Sequence, residues 1–210
     1  MKIFAVFLAA LALVPGALAG GYRTAVLPAA EDVSLPFWCD WGYDWDERCY
    51  RDDFDRLEVG GVDDKVWRSA VRFSLVALPT SATVLTAEVW LRYDRTCVAP
   101  RRRTQLCDGR GFMLEAHPIY SARWSAEREV EFGPAVAFAE LAPGSGSQWL
   151  VWDVTDQVAD WLSGISANNG LLLKLVDEQE GYNLGGPAFP SSSWSDPAQR
   201  PRLVVDYVTG

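Results

Sequence analysis

The strongest constraint on the fold is a pair of alternating segments within residues 68–93. In the first, Val71, Phe73 and Leu75 alternate with polar side chains, and in the second, residues 87–93, every other residue is apolar. Successive side chains of a strand point to opposite faces, so each segment predicts a strand with one buried and one solvent-facing side. The Leu-Pro-Thr step between them predicts a turn, because proline cannot donate a hydrogen bond to a sheet.

Similar patterns recur along the chain and favour an all-β protein. The further strand candidates are residues 20–36, 112–120, 128–132, 148–154, 171–176 and 201–207. A single helical pattern lies near residues 155–163: Val158 and Trp161 recur at helical spacing, Asp153 or Thr155 provides the N-cap, and Gly164 ends the helix. Many short strands with one short helix predict a two-sheet antiparallel β-sandwich, jelly-roll-like.

The first 19 residues are typical of a secretory signal peptide. Lys2 gives a positive start, residues 3–14 are apolar, and the small-x-small sequence at 17–19 predicts cleavage after Ala19. A membrane anchor is the alternative, but the apolar run is shorter than the roughly 20 residues that a spanning helix needs. We therefore expect a secreted, extracellular protein without a membrane span, in which residues 20–210 form a single domain.

The charge of the chain excludes some classes of partner. It carries a formal net charge of -9, and loss of the signal peptide would remove one more positive charge. Such a protein is repelled by nucleic acid backbones and by anionic lipid head groups. Nucleic acids and membrane surfaces are therefore not expected partners.

The four cysteines are expected to stabilise two surface loops, residues 36–55 and 95–111. In an oxidising compartment, the pairing that closes the shortest loops is Cys39–Cys49 and Cys97–Cys107. Each disulfide would contribute about 3 kcal/mol to stability, because it lowers the conformational entropy of the unfolded chain. A zinc site is the alternative, and the missing C-x-x-C spacing argues against it.

The loop at residues 36–55 combines aromatic and acidic side chains without helical or strand periodicity. Flat aromatic faces stack on pyranose rings, and neighbouring carboxylates bind hydroxyl groups. The alternative is that these aromatic rings fold inward as a small core of the loop. Outside the loop, Trp90 points away from the core side of its strand, and Trp194 lies among turn residues. The pattern instead predicts core positions for Leu150, Trp67, Trp124, Trp152 and Trp161. The carbohydrate-binding candidates are Trp38, Trp41, Tyr43, Trp45, Trp90 and Trp194.

The same loop is a candidate for one structural calcium ion, the only cofactor that the sequence suggests. Its carboxylates are hard oxygen ligands at short spacing, although no EF-hand spacing is present. Otherwise they are solvated and balanced by nearby arginines. The calcium candidates are Asp44, Asp46, Asp53 and Asp55.

Catalytic residues are not evident. The single histidine, His117, has no serine or cysteine motif near it, so a hydrolase triad is not indicated. Paired carboxylates could serve a glycosidase, but those available fall on the solvent side of a strand or at the start of the helix. These carboxylates are Glu127, Glu129, Glu131, Asp153, Asp156 and Asp160. We therefore expect a protein that is not an enzyme.

Six fragments recur in a recognisable order: LEVG (57–60), RSAVRFSL (68–75), AEVWL (87–91), WSAE (124–127), WDVT (152–155) and PRLVV (201–205). In this order they resemble the DNRLRE domain, the group that includes carbohydrate-binding module family 96. The resemblance covers roughly residues 30–208 and implies a secreted, non-catalytic β-sandwich, found on cell surfaces and beside polysaccharide-processing enzymes. Some members bind glycans. The tryptophan-rich loop and the cysteines depart from the family pattern, so the ligand of a member does not transfer directly.

The sequence thus supports two hypotheses of different classes. The first is a secreted binding module for a polysaccharide or cell-surface glycan. The second is a structural or adhesive protein of the cell surface or extracellular matrix that contacts other surface proteins.

Overall fold

The computed structural model describes residues 21–36, 55–62, 65–99, 103–106, 109–124, 130–178 and 185–210. Within them lie thirteen strands, one α-helix and a 3-10 turn at Pro197–Gln199. The first seven strands are β1 Tyr22–Pro36, β2 Arg56–Glu58, β3 Gly60–Val62, β4 Lys65–Phe73, β5 Ala82–Tyr93, β6 Thr96–Ala99 and β7 Arg103–Leu106. The rest are β8 Phe112–Pro118, β9 Ala137–Leu141, β10 Gln148–Asp153, helix α1 Thr155–Ser163, β11 Leu171–Leu175, β12 Gly186–Pro190 and β13 Arg202–Thr209.

The larger sheet has nine antiparallel strands in the order β10-β5-β13-β1-β4-β11-β8-β9, with β3 paired to β4. Strand β1 joins its two halves: residues 22–28 pair with β13, and residues 29–36 pair with β4. The register shifts between Ala29 and Glu31, as expected where a bulge bends a strand. The end strands β9 and β10 lie beside each other, so the sheet curls nearly into a closed cylinder.

The main core fills this curled sheet and consists of the apolar members of the alternating patterns. Four of these side chains, each at most 1% exposed, are Phe73 on β4, Leu91 on β5, Trp152 on β10 and Leu203 on β13. Full burial of one such side chain contributes about 1.5–3 kcal/mol to stability. The alternating segments within residues 68–93 therefore place their apolar side chains toward the core, as predicted.

The smaller sheet has the order β2-β12-β6-β7 and contacts the larger one at two glycines. The Val59 N–H donates to the Pro187 carbonyl at 3.1 Å. A Cβ atom on Gly186 would lie 1.8 Å from the Val59 carbonyl oxygen, and Gly60 has a φ of 129°. The two backbones can cross this closely because both positions are glycine.

Helix α1 spans Thr155–Ser163, and Gly164 ends it in the left-handed conformation, both as predicted. The predicted N-cap is wrong. Val154 occupies the N-cap position without a side-chain hydrogen bond, while Asp153 accepts hydrogen bonds from the Thr155 N–H at 3.0 Å and its hydroxyl at 2.6 Å. The Asp153 carboxylate therefore forms a local turn one residue before the cap.

The prediction of an antiparallel all-β protein with one short helix is confirmed. The larger sheet, however, is one continuous curled path, which differs from two separate sheets. Residues 95–111, expected as a loop, include the β6–β7 hairpin. In the described part of the predicted strand at 128–132, only Phe132 pairs, through an isolated bridge to Ile119. These short pairings carry no long alternating pattern that could have predicted them.

Candidate functional site

The best candidate site is the outer surface of one half of the larger sheet. We name "the open face" the outward side chains of β10, β5, β13 and the first half of β1. Val89, Leu91 and Tyr93 on β5 point into the core. Trp90 and Arg92, which alternate with them, therefore point outward. On β10, the buried Leu150 in the same way places its neighbour Trp149 outward, so the open face has two tryptophans.

Trp90 and Trp149 form a fixed aromatic pair. Their ring centroids lie 6.1 Å apart, and the ring planes are tilted by 59°. The Arg202 guanidinium carbon is 4.2 Å from the Trp149 centroid and 5.1 Å from the Trp90 centroid. The Arg92 guanidinium lies 5.9 Å from the Trp149 centroid. Cations at these distances are attracted by the ring quadrupole, so two indoles and two guanidiniums hold one another in place.

The polar groups of the open face are mostly free to bind a ligand. Glu88 accepts a hydrogen bond from the Trp90 indole N–H at 2.9 Å, which fixes that ring. Arg92 and Arg202 form no ion pair with any residue that the structure describes, and the buried Arg202 Nε has no hydrogen-bond partner there. A carboxylate beside a guanidinium would normally compete with a ligand for it. Neither the Arg92 nor the Arg202 guanidinium forms an ion pair with such a carboxylate among the described residues.

The open face continues into a hydrogen-bonded carboxylate, Asp206. It accepts from the Thr24 hydroxyl at 2.5 Å and the Thr86 hydroxyl at 3.2 Å. The hydrogen bonds from Thr24 and Tyr22 lower the pKa of Asp206, and the bond to Asp206 raises the pKa of Tyr22. Asp206 is therefore ionised at neutral pH, and its neighbours are ordered around it.

Trp194, also predicted as a sugar contact, lies half-buried against a different cation. The Arg56 guanidinium carbon is 4.5 Å from the Trp194 centroid, and Arg56 donates two hydrogen bonds to Asp94, at 2.8 and 3.2 Å. Burial alone would raise the pKa of Asp94, but hydrogen bonds from Arg56 and Thr96 outweigh it and hold the pKa below its ordinary value. The Arg56 cation that lies against the Trp194 ring is therefore neutralised by the Asp94 carboxylate.

The other half of the sheet has a covered outer surface. We name "the covered face" the outward side chains of β4, β11, β8 and the second half of β1, together with the segments 119–124 and 130–133 that lie on them. Its apolar residues form a second small core. They are Leu35, Ala70, Ile119, Trp124, Val130 and Leu172, with Val33 and Phe132 packed against them.

The charges of the covered face are paired. Arg68 donates to Glu178 at 2.6 Å, and Lys174 donates to Glu115 at 2.9 Å. Both nitrogens of His117 also face acceptors: Nδ1 lies 2.8 Å from the Gly133 carbonyl and Nε2 lies 3.0 Å from the Glu115 carboxylate. His117 is buried, and its contact with the Gly133 carbonyl links the segment at residues 130–133 to the sheet. This role is structural.

Several predicted site residues lie outside the described residues. They are Trp38, Trp41, Tyr43, Trp45, Asp44, Asp46, Asp53, Cys39, Cys49 and Cys107. Asp55 is exposed, and its carbonyl accepts from the Ser191 N–H. Cys97 is buried on β6 and is not a free cysteine, but its predicted partner is not described, so the pairing stays a prediction. Among described residues, no group of three His, Cys, Asp or Glu residues could hold a metal ion.

Sequence reasoning placed Trp90 correctly on the outer side but missed Trp149, Arg92 and Arg202. The alternation of β10 contained the signal for Trp149, because Leu150 and Trp152 were already assigned to the core. The approach of Arg202 to both indoles depends on β13 pairing with β5, more than 100 residues apart in sequence, and the local pattern does not show it.

Comparison with known protein families finds no match, and none of the curated proteins is recognisably similar to the chain. Within the described residues, none of the helical segments has the length and apolar character needed to cross a lipid bilayer.

Proposed function

We propose that this chain is a secreted, non-catalytic protein that binds a polysaccharide or cell-surface glycan, and that it does so through the open face. The observation that carries the proposal is the fixed pair of Trp90 and Trp149 beside two guanidiniums that have no carboxylate partner among the described residues. The resemblance to the DNRLRE group and the signal-peptide pattern support it. The two-sheet, jelly-roll-like sandwich expected from the strand pattern belongs to the same proposal.

The chemistry of the open face suits a sugar. The C–H faces of a pyranose ring stack on flat π-systems, and an indole or a stacked guanidinium offers such a plane. Sugar hydroxyls both donate and accept, so they can accept from Arg92 and Arg202 and donate to Glu88. Because the rings are held by their neighbours before a ligand arrives, little side-chain entropy is lost on binding.

Affinity gel electrophoresis on a set of soluble polysaccharides tests the proposal. We expect wild-type protein to be retarded by at least one polymer and Trp90→Ala to lose about tenfold in affinity, equivalent to about 1.4 kcal/mol. Tyr120→Ala is the matched control, because Tyr120 is an aromatic residue that is 59% exposed and lies outside the open face. Trp41→Ala tests the predicted loop separately. Wild-type mobility unchanged by every polymer would refute glycan binding.

A structural or adhesive role is the second candidate, favoured by an exposed apolar group on β8 and β9. Phe138 is 57% exposed and Met113 is 41% exposed, with Val136 and Val176 beside them. Apolar side chains gathered on a surface are typical of protein contacts. Analytical ultracentrifugation of wild type and Phe138→Asp, with and without calcium, tests this role. A monomer under all conditions, and no binding to isolated surface proteins, would count against it.

A further inference from the structure

The outward side chains of the open face lie in rows that run across the strands. Val151 is opposite Trp90, Trp90 is opposite Arg202, and Arg202 is opposite Pro28. Residues directly opposite each other in antiparallel strands point to the same side of the sheet. These four residues therefore form one row across β10, β5, β13 and β1, which we name "the central row".

The central row lies between two rows of different charge. The row on one side consists of Asp153, Glu88, Val204 and Val26. On the other side, Trp149 is opposite Arg92. A ligand along the central row thus lies over the Arg202 side chain, with the Arg92 guanidinium on one flank and the carboxylates of Glu88 and Asp153 on the other.

The guanidiniums of Arg92 and Arg202 and the carboxylates of Glu88 and Asp153 balance each other, although the chain as a whole carries a net charge of -9. Hydrogen bonds from Thr155 lower the pKa of Asp153, so it stays an anion at neutral pH. An ionised carboxylate has about four acceptor positions, and the bonds that Glu88 and Asp153 already make leave some of them open. Neutral hydroxyls can use the donors and the acceptors alike, whereas a polymer with a carboxylate on every sugar would meet Glu88 and Asp153 as well as the guanidiniums and gain little net attraction.

The central row is long, and the residue at each of its ends is at least partly exposed. Three steps between neighbouring strands span about 14 Å, which is room for about three pyranose rings laid end to end. Pro28 at one end is exposed, and Val151 at the other is partly exposed. A site for a chain end would instead close around the terminal sugar.

We propose that the open face binds an internal stretch of a neutral, extended polysaccharide, laid across the strands along the central row. This inference rests on the proposed function and adds the charge class, the orientation and the minimum length of the ligand.

Two measurements test the charge and the length. Affinity gels containing glucan, mannan or xylan serve as neutral probes, and polygalacturonate is the acidic probe. We expect retention by a neutral polymer. Calorimetry with oligosaccharides of that polymer, from two to six sugars, should show affinity rising about tenfold from the disaccharide to the trisaccharide or tetrasaccharide and then levelling off. Retention by polygalacturonate alone, or full affinity for a disaccharide, would overturn the inference while leaving glycan binding intact.

Paired variants test the orientation. Pro28→Ser and Val151→Ser change the two ends of the central row, while Thr86→Ala changes a residue farther along β5, two rows away. We expect each end variant to weaken binding of a tetrasaccharide about fivefold and by more than Thr86→Ala does, while Tyr120→Ala, outside the open face, leaves binding within about twofold. The reverse result would mean that the ligand lies along the strands. If wild-type protein binds no polymer at all, the proposed function itself fails.

Discussion

The two outer faces of the larger sheet begin from similar side chains and differ in what lies on them. On the covered face, Trp124 packs with Ile119 and Val130 onto the sheet and is only 8% exposed. On the open face, Trp90 and Trp149 are only partly buried, and they contact each other and neighbouring guanidiniums. The same residue type therefore stabilises the fold on one face and is available to a ligand on the other.

The charged side chains of the two faces also differ in whether they have an ionic partner. Arg68 and Lys174 on the covered face each have a carboxylate partner, Glu178 and Glu115 respectively. On the open face, Arg92 and Arg202 have no ionic partner in the part of the chain that the structure describes. Partial burial of a cation is costly unless it is compensated, and here the indole rings provide part of the compensation. A ligand with acceptor oxygens would complete it.

The largest effect that tests this comparison is on stability. We expect Trp124→Ala to lower the free energy of unfolding by about 3 kcal/mol, since it removes the largest side chain of the second core. Trp149→Ala should lower it by less than about 1 kcal/mol, because that ring is already partly solvated. Urea denaturation followed by circular dichroism measures both variants. Equal losses would show that the two faces have the same structural role.

A smaller effect separates the carboxylates of the two faces. Glu115→Gln removes the charge that binds Lys174 and His117, and we expect a loss of about 2 kcal/mol in the free energy of unfolding. Glu88→Gln on the open face should cost about 0.5 kcal/mol or less. Denaturation midpoints of the two variants at neutral pH make the comparison. A larger loss for Glu88→Gln would contradict it.

The smallest effect concerns pH and Asp94, whose ion pair with Arg56 lies under Trp194. Because its pKa is lowered in the folded protein, Asp94 contributes stability at pH values above its unfolded pKa, and this contribution is lost as pH falls through the folded pKa. The stability difference between wild type and Asp94→Asn should therefore be present at pH 7 and shrink below pH 4. A difference that stays constant to pH 2 would argue against this ion pair.

Much of the fold follows from local pattern. Alternation predicted β4, β5, β10 and β13, and helical spacing with Gly164 predicted helix α1. Trp152 and Trp161 are buried as predicted. Strands β9 and β12 were missed, because β9 has an alternating pattern of only five residues and β12 is buried on both sides and has no alternation.

The site was less predictable than the fold. Alternation alone shows that Trp90 points outward, but it does not show which strand lies beside β5. The meeting of Trp149, Trp90 and Arg202 needs the order β10-β5-β13, which is set by long-range pairing. Trp124 is buried as predicted, but strand periodicity does not show that it belongs to a second core on the outside of the sheet.

The shared strand β1 also sets the order in which the chain can fold. Tyr22 pairs with Val208, so the first described strand meets the last one, and the larger sheet cannot be completed until the C-terminal residues are available. Contacts between such distant residues make folding slow, because a long loop must close before they form. If the proposed export holds and the chain crosses a membrane unfolded, this delay would keep it export-competent, and residues 202–209 would complete the sheet only afterwards.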